Sequence, residues 1–444
     1  MEHFDVIVIG TGVAGQTAAG ELSMAGKKVA VVDKREFGGT CALRGCEPKK
    51  VLYAAAEVVE RANGQAERGV SGTVTVDWPS LIAFKRTFTD PMSPMIEKGL
   101  IDGGATAIHG NARFVSPGTI DVDGEQYSAD HFVLAPGALP IPLNIPGEEF
   151  VFDNEQFMAS ETLGSRVVFI GGGYISFEFA HLAAAAGAKS TILHRSAHVL
   201  KEFDADLAEM LVRCYRDAGI DVRTDAPVTA VRKADAGFAV VLGDGGAVEC
   251  DMVVHGAGRA PDLAGLDLEA GGIAYGRRGI EVDSSMRSTS NPRVFAAGDA
   301  AALGAPLTPV GIAQARVALA NIFEPGSATF APKAVPSVAF SDPPLSSVGL
   351  TEAQANAQGL DVEVKLTDTS MWASSRRTGV RISGTKTIVE RGTGRIVGAH
   401  LLGHGADEAI NVFAAAIMAG FTASDLKSAI WAYPTGGSEV VYMF

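Results

Sequence analysis

Close to its N-terminus the chain contains FDVIVIGTGVAG (Phe4–Gly15), an apolar run that leads directly into a glycine-rich turn. The run is short and nearly all apolar, as in a strand that is buried on both faces of a parallel sheet. A GxGxxG motif follows, formed by Gly10, Gly12 and Gly15. After it come a helical stretch, a second strand and Asp33. This order predicts that a dinucleotide pyrophosphate meets the helix N-terminus and that Asp33 accepts hydrogen bonds from ribose hydroxyls.

The next segment, EFGGTCALRGCEPKK (Glu36–Lys50), contains Cys41 and Cys46 just before an Ala-rich run that is typical of a helix. If a helix begins near Cys41 with Thr40 as its N-cap, both sulfurs lie among unpaired backbone N–H groups, and this lowers a thiol pKa. Pro48 is expected to bend that helix and to bring the sulfurs within disulfide range. The pair predicts a redox switch, and the alternative is two buried structural thiols.

A second strand, glycine turn and helix begins at residue 166, with the turn GGGYI at residues 171–175. Two such units predict two bound dinucleotides. The second unit's next strand ends not on a carboxylate but on His194 and Arg195, with Lys201 shortly after. These cations suit the additional phosphate of NADPH, whereas an NAD site needs an acid for the ribose diol. The alternative is a solvated, charged face.

The length, composition and net charge of the chain favour several domains and small-molecule partners. The chain has 444 residues, 47% of them hydrophobic, and a net charge of −14, which argues against nucleic acid or an anionic membrane as a partner. A strand is predicted within four residues of the N-terminus, which leaves no room for a signal peptide, and no apolar run is as long as a membrane-spanning helix. We therefore expect a cytoplasmic protein. The four cysteines are too few for a disulfide framework. Helices are predicted at Val51–Arg61 and Trp78–Leu100, and a strand at Lys386–Glu390.

The run GGTCALRGCEPKK resembles the active-site segment of the FAD-dependent pyridine nucleotide-disulfide oxidoreductases, the group of glutathione reductase, dihydrolipoamide dehydrogenase and mercuric reductase. The resemblance spans nearly the whole chain. It implies an α/β fold with two Rossmann-like domains, FAD on the first and NADPH on the second, and an α+β C-terminal domain that forms a homodimer. The implied domains are 1–142 (first part of the FAD domain), 143–262 (NADPH), 263–327 (second part of the FAD domain) and 328–444 (dimerisation).

The resemblance also implies roles for individual residues. The FAD-binding residues would be Gly10, Gly12, Gly15, Asp33, Gly39, Thr40, Lys49, Ala112, Gly137, Asp299 and Thr308. The NADPH-binding residues would be Gly171, Gly173, Tyr174, Ile175, Glu178, Arg195, Lys201, Gly258 and Arg259. The family usually has Glu at the place of Asp33 and Thr at the place of Pro136. No metal site is expected.

The implied chemistry runs from NADPH through the flavin to the cysteine pair. Tyr174 would cover the nicotinamide face of the flavin, and Lys49 and Glu178 would form an ion pair beside the reacting flavin nitrogen. Cys46 would be the thiolate that stacks on the flavin, and Cys41 would attack the substrate.

The C-terminus departs from the family's thiol enzymes, which carry a catalytic His, followed by a Glu, from the partner subunit. Here Tyr433 stands at the His position, and Glu439 lies one residue later than usual. Tyrosine, with a pKa near ~10, is a poor base at neutral pH. Gly20 also replaces a glutathione-binding Arg, although Arg316 matches another.

The electron acceptor therefore stays open. The first hypothesis is a small disulfide, with Tyr433 as proton donor or positioning group. The second is a metal ion, quinone or oxygen, none of which releases a thiolate that needs a proton. The third is a redox sensor on a reductase scaffold.

Overall fold

The computed structural model describes residues 1–66 and 68–444, and these form two compact units. The first unit comprises Met1–Val51, Ala83–Ile141 and Arg259–Ala331. The second comprises Leu52–Ile82, Pro142–Gly258 and Pro332–Phe444. One boundary falls within the proline-rich run LPIPLNIPG, residues 139–147. The four domain ranges inferred from the resemblance stay a prediction.

The first unit is built on a seven-stranded sheet. Its strands, from one edge to the other, are Thr106–His109, Val29–Asp33, Glu2–Ile9, Glu125–Leu134, Thr119–Val122 and Ala112–Ser116, with Val294–Ala296 beside Glu125–Leu134. Strand Glu2–Ile9 is parallel to both neighbours, and its last four residues are buried on both faces. The apolar N-terminal run therefore forms the central strand that its composition predicts.

Helices cover this sheet, and two small strand pairs extend the unit. The helices are Val13–Met24, Gly39–Arg44, Met92–Asp102 and Thr308–Phe323, with the first turns of Cys46–Gly64, the end of Trp78–Thr89 and a 3₁₀ turn at Gly298–Ala300. The strand pairs are Ala138–Pro140 with Arg259–Pro261 and Tyr275–Gly276 with Gly279–Ile280. Helix Val13–Met24 packs against helix Thr308–Phe323, so two segments that are distant in the sequence lie side by side.

The second unit contains a four-stranded parallel sheet and a three-stranded antiparallel sheet. The parallel order is Asp221–Arg223, Lys189–Leu193, Arg166–Ile170 and Met252–His255. The antiparallel strands are Val228–Lys233, Phe238–Leu242 and Ala247–Cys250. The accompanying helices are Asn154–Ala159, Tyr174–Ala185 and Ala205–Asp217, with a 3₁₀ turn at Glu148–Phe150.

The C-terminal part of the second unit is an antiparallel sheet with helices on it. Its strand order is Ser337–Ala339, Leu345–Gly349, Ile396–Leu402, Gly384–Glu390 and Val362–Asp368. Its helices are Glu352–Ala357, Ala373–Thr378, Ala406–Ala419 and Ala423–Ser428, followed by a 3₁₀ segment at Gly436–Tyr442. The predicted strand at Lys386–Glu390 is correct but begins two residues too late.

The mixed sheet of the first unit, the parallel sheet of the second and the antiparallel C-terminal part, each with its helices, confirm the predicted fold class. Among the described residues, no helix combines the length and the apolar character that crossing a membrane requires.

The helix prediction around the cysteines is wrong in two details. The helix begins at Gly39 with Gly38 as its N-cap, so Thr40 lies inside it and does not cap it. The break falls at Gly45 rather than at Pro48, and a new helix, Cys46–Gly64, begins at once. Pro48 lies in the first turn of this second helix, where its missing N–H costs no hydrogen bond.

The other predicted helices are present, but their bounds differ from the predicted ones. The helix predicted at Val51–Arg61 is the middle of Cys46–Gly64. The run Trp78–Leu100 is two helices, Trp78–Thr89 and Met92–Asp102, because Asp90 and Pro91 interrupt it. A proline ends the preceding helix, since it disfavours helical geometry at the residue before it.

Candidate active site

The two cysteines lie in the first turns of two successive helices and reach the same hydroxyl group. The Thr308 hydroxyl donates to Cys41 Sγ at 3.4 Å and lies 3.8 Å from Cys46 Sγ. The structure describes both cysteines as thiols, the reduced form of the predicted couple. Cys41 is half-buried and Cys46 is exposed. Exposure alone therefore does not single out Cys41 as the attacking sulfur, and that role stays a prediction.

The two thiols differ strongly in acidity because they share one proton. The pKa of Cys46 is lowered to about 6, chiefly by the hydrogen bond from Cys41; burial opposes the shift, and the Thr308 hydroxyl and the Lys49 ammonium add to it. The same hydrogen bond, together with burial, raises the pKa of Cys41 far above its ordinary value. At neutral pH the pair therefore holds a thiolate on Cys46 and the proton on Cys41.

Two glycines let the redox segment approach the first glycine turn. Gly38 and Gly39 have φ values of +133° and +68°, which side chains with a Cβ rarely adopt. A Cβ on Gly39 would collide with the Gly12 backbone. The Gly-Gly pair thus places the cysteine helix directly against the GxGxxG loop.

The GxGxxG loop forms a cradle that fits a pyrophosphate. Gly12 is the N-cap of helix Val13–Met24 and contributes no side-chain cap, so the first-turn N–H groups are available to an anion. A Cβ on Gly10 would strike the carbonyl of Ala135, and one on Gly15 would strike Gly10. Asp33 follows the next strand, and its carboxylate accepts hydrogen bonds from the Thr11 N–H at 2.7 Å and the Thr11 hydroxyl at 2.6 Å. These bonds fix its orientation.

The remaining predicted FAD residues also lie in the first unit. Ala112 is buried at the start of a strand, and Gly137 adopts a φ of +77° in the turn after Leu134. Burial raises the pKa of Asp299, while Arg259 opposes the shift. Sequence reasoning missed Gln314, whose side chain accepts the Gly298 N–H at 2.8 Å and so holds the turn that carries Asp299.

The second unit contains a matching cradle. Gly171 has a φ of +120°, and a Cβ there would collide with the Gly256 carbonyl. Gly173 is the N-cap of helix Tyr174–Ala185 without a side-chain cap, so its first turn also presents N–H groups. Tyr174, the first residue of the helix, is 43% exposed. Ile175, the next residue, packs against the core of this unit.

Two cations stand at the end of the strand beside this cradle. Arg195 and Lys201 are both exposed. Burial of the imidazole is the main cause that lowers the pKa of His194, and the nearby positive charges of Lys201 and Arg195 also lower it. The His194 ring lies under the glycine turn, because a Cβ on Gly172 would fall 2.6 Å from Cγ of that ring. The geometry thus gathers positive charge where the sequence predicts a phosphate.

Glu178 belongs to the second unit and Lys49 to the first. Glu178 is buried, and its carboxylate accepts the Phe340 N–H at 2.9 Å. Lys49 lies one turn after Cys46. Their ion pair stays a prediction. Gly258 has a φ of +118° at the end of the second unit, whereas Arg259 begins a segment of the first unit and donates to the Ala138 carbonyl.

The two C-terminal candidates differ in exposure, because Tyr433 is exposed and Glu439 is half-buried. Tyr433 is 86% exposed and is followed by a cis bond to Pro434. Glu439 accepts a hydrogen bond from the Ser374 hydroxyl at 2.7 Å, and no local sequence pattern indicates this partner. The catalytic roles of Tyr433 and Glu439 stay predictions.

Two dinucleotide cradles and a thiol pair with unequal acidity define a dinucleotide-dependent redox enzyme. The family model for the pyridine nucleotide-disulphide oxidoreductases matches residues 4–321, and that for their dimerisation domain matches residues 335–444. The chain belongs to this family and is an FAD-dependent oxidoreductase. FAD and NADPH, the predicted cofactor pair, are the cofactors of the family's glutathione reductases.

Relatives and solved structures agree with this assignment. The chain is 32% identical to glutathione reductase from Burkholderia cepacia over 99% of this chain and 98% of that protein. It is 32% identical to the chloroplastic/mitochondrial glutathione reductase of Pisum sativum, over 99% of this chain and 82% of that protein. The HOCl-induced flavoprotein disulfide reductase RclA from Escherichia coli, solved as a Cu(II) complex, superposes with a TM-score of 0.90 at 27% identity, over 100% of this chain and 99% of that chain.

Thr308→Val should raise the pKa of Cys46 by about one unit, because it removes a hydroxyl that both sulfurs share. In the native protein, alkylation of Cys46 by iodoacetamide should rise with pH around a midpoint of about 6. Trypsin cleaves after Arg44, so mass spectrometry can follow each cysteine on its own peptide. Thr308→Ser keeps the hydroxyl and should leave the midpoint in place. An unchanged midpoint in Thr308→Val would show that this hydroxyl does not stabilise the thiolate.

Proposed function

We propose that the protein uses NADPH to reduce a small disulfide through the Cys41–Cys46 pair, and that it works as a homodimer. The observation that carries this proposal is the position of the two thiols, which lie on successive helices and reach the same Thr308 hydroxyl; the hydrogen bond from Cys41 also lowers the pKa of Cys46 to about 6. FAD would supply the step that accepts hydride from NADPH and delivers two electrons to the sulfur pair. The metal-ion, quinone and redox-sensor alternatives stay hypotheses.

Attack on a disulfide requires a thiolate, whereas the Cys41 thiol keeps its proton and donates a hydrogen bond to Cys46. That hydrogen bond raises the pKa of Cys41, so Cys41 attacks only after it has lost its proton. Cys46, with a pKa of about 6, is a weak base for that proton. The family's His would take it, and Tyr433 occupies the place of that His.

The dinucleotide cradles support the assignment of the two cofactors. The first cradle and the cysteine helix are in contact within one unit. This suits FAD, because the flavin must lie close to the sulfur atoms with which it exchanges electrons. The second cradle has Arg195 and Lys201 beside it, which favours NADPH over NADH. The dimerisation domain at residues 335–444 supports assembly of two copies.

The proposal is tested by anaerobic addition of one equivalent of NADPH to the purified flavoprotein. We expect a two-electron-reduced form with a long-wavelength absorbance band from the Cys46 thiolate, and we expect Cys46→Ser to lack that band. Flavin bleaching without the band in the native protein would place the sulfur pair outside the electron path.

Tyr433→His should speed disulfide reduction about tenfold or more at neutral pH, if a proton donor for the departing thiolate limits the rate. A histidine with a pKa near ~6.5 can exchange protons there, and a general acid is typically worth about 10²- to 10⁴-fold. Tyr442→His serves as the control, because Tyr442 is also exposed, at 63%. Steady-state assays of both variants test this prediction. Equal rates for Tyr433→His and the native protein would show that proton donation at position 433 does not limit disulfide reduction.

A further inference from the structure

Lys386 is a buried lysine that the proposed chemistry does not use. It lies on strand Gly384–Glu390, and only 5% of its side chain is exposed. Its ammonium group contacts three carboxylates, those of Asp204 at 3.1 Å, Asp206 at 2.6 Å and Glu352 at 2.7 Å. Asp206 and Glu352 reach solvent, whereas Asp204 is as buried as the lysine. A charged pair with both members buried holds its two elements in one fixed arrangement.

The Asp204 carboxylate also begins the next helix, Ala205–Asp217. Asp204 is the N-cap of this helix, and its Oδ1 atom accepts two N–H groups of the first turn at 3.1 and 3.4 Å. Its other oxygen, Oδ2, meets Lys386. The helix packs against strand Gly384–Glu390, on which Lys386 lies. Both carboxylate oxygens are therefore fixed, and so is the backbone at the point where the chain enters the helix.

The segment just before this helix is held at its other end by the glycine turn of the second cradle. The Leu200 N–H donates to the Gly172 carbonyl at 2.8 Å, and the Phe203 N–H donates to the Leu200 carbonyl at 2.8 Å. Leu200 is buried and has a φ of +48°, a left-handed conformation that its surroundings must stabilise. Residues 200–204 thus run between two fixed points, the glycine turn and Lys386.

Lys201 lies between these two points, and its side chain is exposed. Holding a phosphate costs a lysine its rotamer freedom, and a mobile backbone would add to that cost. Arg195 is held separately, because its neighbours His194 and Ser196 accept backbone hydrogen bonds from the residues that follow strand Asp221–Arg223. A change at Lys386 is therefore expected to act on Lys201 and to leave Arg195 in place.

We infer that Lys386 is a positioning residue for NADPH, which acts through Asp204 to fix the segment that presents Lys201 to the additional phosphate. The inference rests on the proposed function, because it takes that phosphate as the ligand of Lys201. Lys386 acts without contacting the nucleotide, since its ammonium group is buried among the three carboxylates. A lysine on the C-terminal sheet thereby contributes to the choice between NADPH and NADH.

Asp204→Asn tests this link while it preserves the start of the helix. Asparagine is as good an N-cap as aspartate, but it lacks the charge that meets Lys386. We expect adenosine 2′,5′-bisphosphate, which carries the additional phosphate, to bind about tenfold more weakly, because a loosened Lys201 loses part of a charge-assisted hydrogen bond. Binding of 5′-AMP should not change. Isothermal titration calorimetry of the flavoprotein measures both without turnover.

Two further variants complete the comparison. The double variant Lys386→Met with Asp204→Asn removes both buried charges together, so neither is left without its partner, and it should show the same loss of bisphosphate binding. Its kcat/KM for NADPH should fall about tenfold while the value for NADH stays. Glu352→Gln is the matched control, because it removes another partner of Lys386 and keeps the contact with Asp204. It should leave bisphosphate binding unchanged.

Each outcome bears on a different claim. If Asp204→Asn lowers the melting temperature but binds adenosine 2′,5′-bisphosphate like the native protein, the ion pair is only structural and the inference is wrong. The inference is also overturned if Glu352→Gln weakens binding as much as Asp204→Asn, since the contact with Asp204 would then not be the route. If the native protein binds 5′-AMP as tightly as the bisphosphate and uses NADH as well as NADPH, the proposed use of NADPH itself fails.

Discussion

Cys41→Ser and Cys46→Ser should each lower disulfide reduction about 10³-fold or more, while NADPH-dependent reduction of ferricyanide continues. A serine hydroxyl does not ionise at neutral pH and cannot form the mixed or internal disulfide. Ferricyanide takes electrons singly and needs no sulfur. Comparing the two assays on one preparation separates loss of the thiol route from loss of the cofactor.

Cys214→Ser is the control for these variants. Cys214 is a largely buried thiol of the second unit, and burial raises its pKa to about 12, so it holds no thiolate at neutral pH. Its replacement should change neither rate more than about twofold. Full disulfide turnover in Cys41→Ser would mean that the acceptor bypasses the pair.

The double variant Arg195→Ala with Lys201→Ala should lower kcat/KM for NADPH about 10²-fold or more and leave the value for NADH almost unchanged. Each cation can form a charge-assisted hydrogen bond with the additional phosphate, and such bonds contribute about 1.5–3 kcal/mol each. The preference of the enzyme would then shift toward NADH.

A third exposed cation of the same sheet provides the control. Arg223 ends the adjacent strand and pairs with Asp221 at 2.6 Å, so Arg223→Ala removes a charge nearby without removing a phosphate ligand. Its NADPH kinetics should match those of the native protein. If all three substitutions act alike, general electrostatics and not recognition of the phosphate sets the preference.

The sequence predicted the two dinucleotide folds well because their signals are local. The strand Glu2–Ile9, its glycine turn and Asp33 lie within one continuous segment, and each residue type has one geometric reason to be there. The same holds for the turn at Gly171–Gly173. These signals do not depend on distant parts of the chain, because a buried strand followed by a glycine turn and a helix is a pattern that few other structures produce.

The geometry around the cysteines could be predicted only in part. Two glycines with positive φ and the break at Gly45 overrode the expectation that Thr40 caps one helix and Pro48 bends it. The contact with Thr308 joins positions 267 residues apart, so no local pattern could indicate that its hydroxyl serves both sulfurs. The bond from Ser374 to Glu439 is likewise a product of the fold.

The most direct test of the electron route is a count of titratable thiols per chain in the denatured protein, before and after anaerobic reduction by NADPH. The account predicts two additional thiols per chain after reduction, found by mass spectrometry at Cys41 and Cys46, and no increase in Cys41→Ser. The same count in both states, or new thiols at other positions, would contradict it.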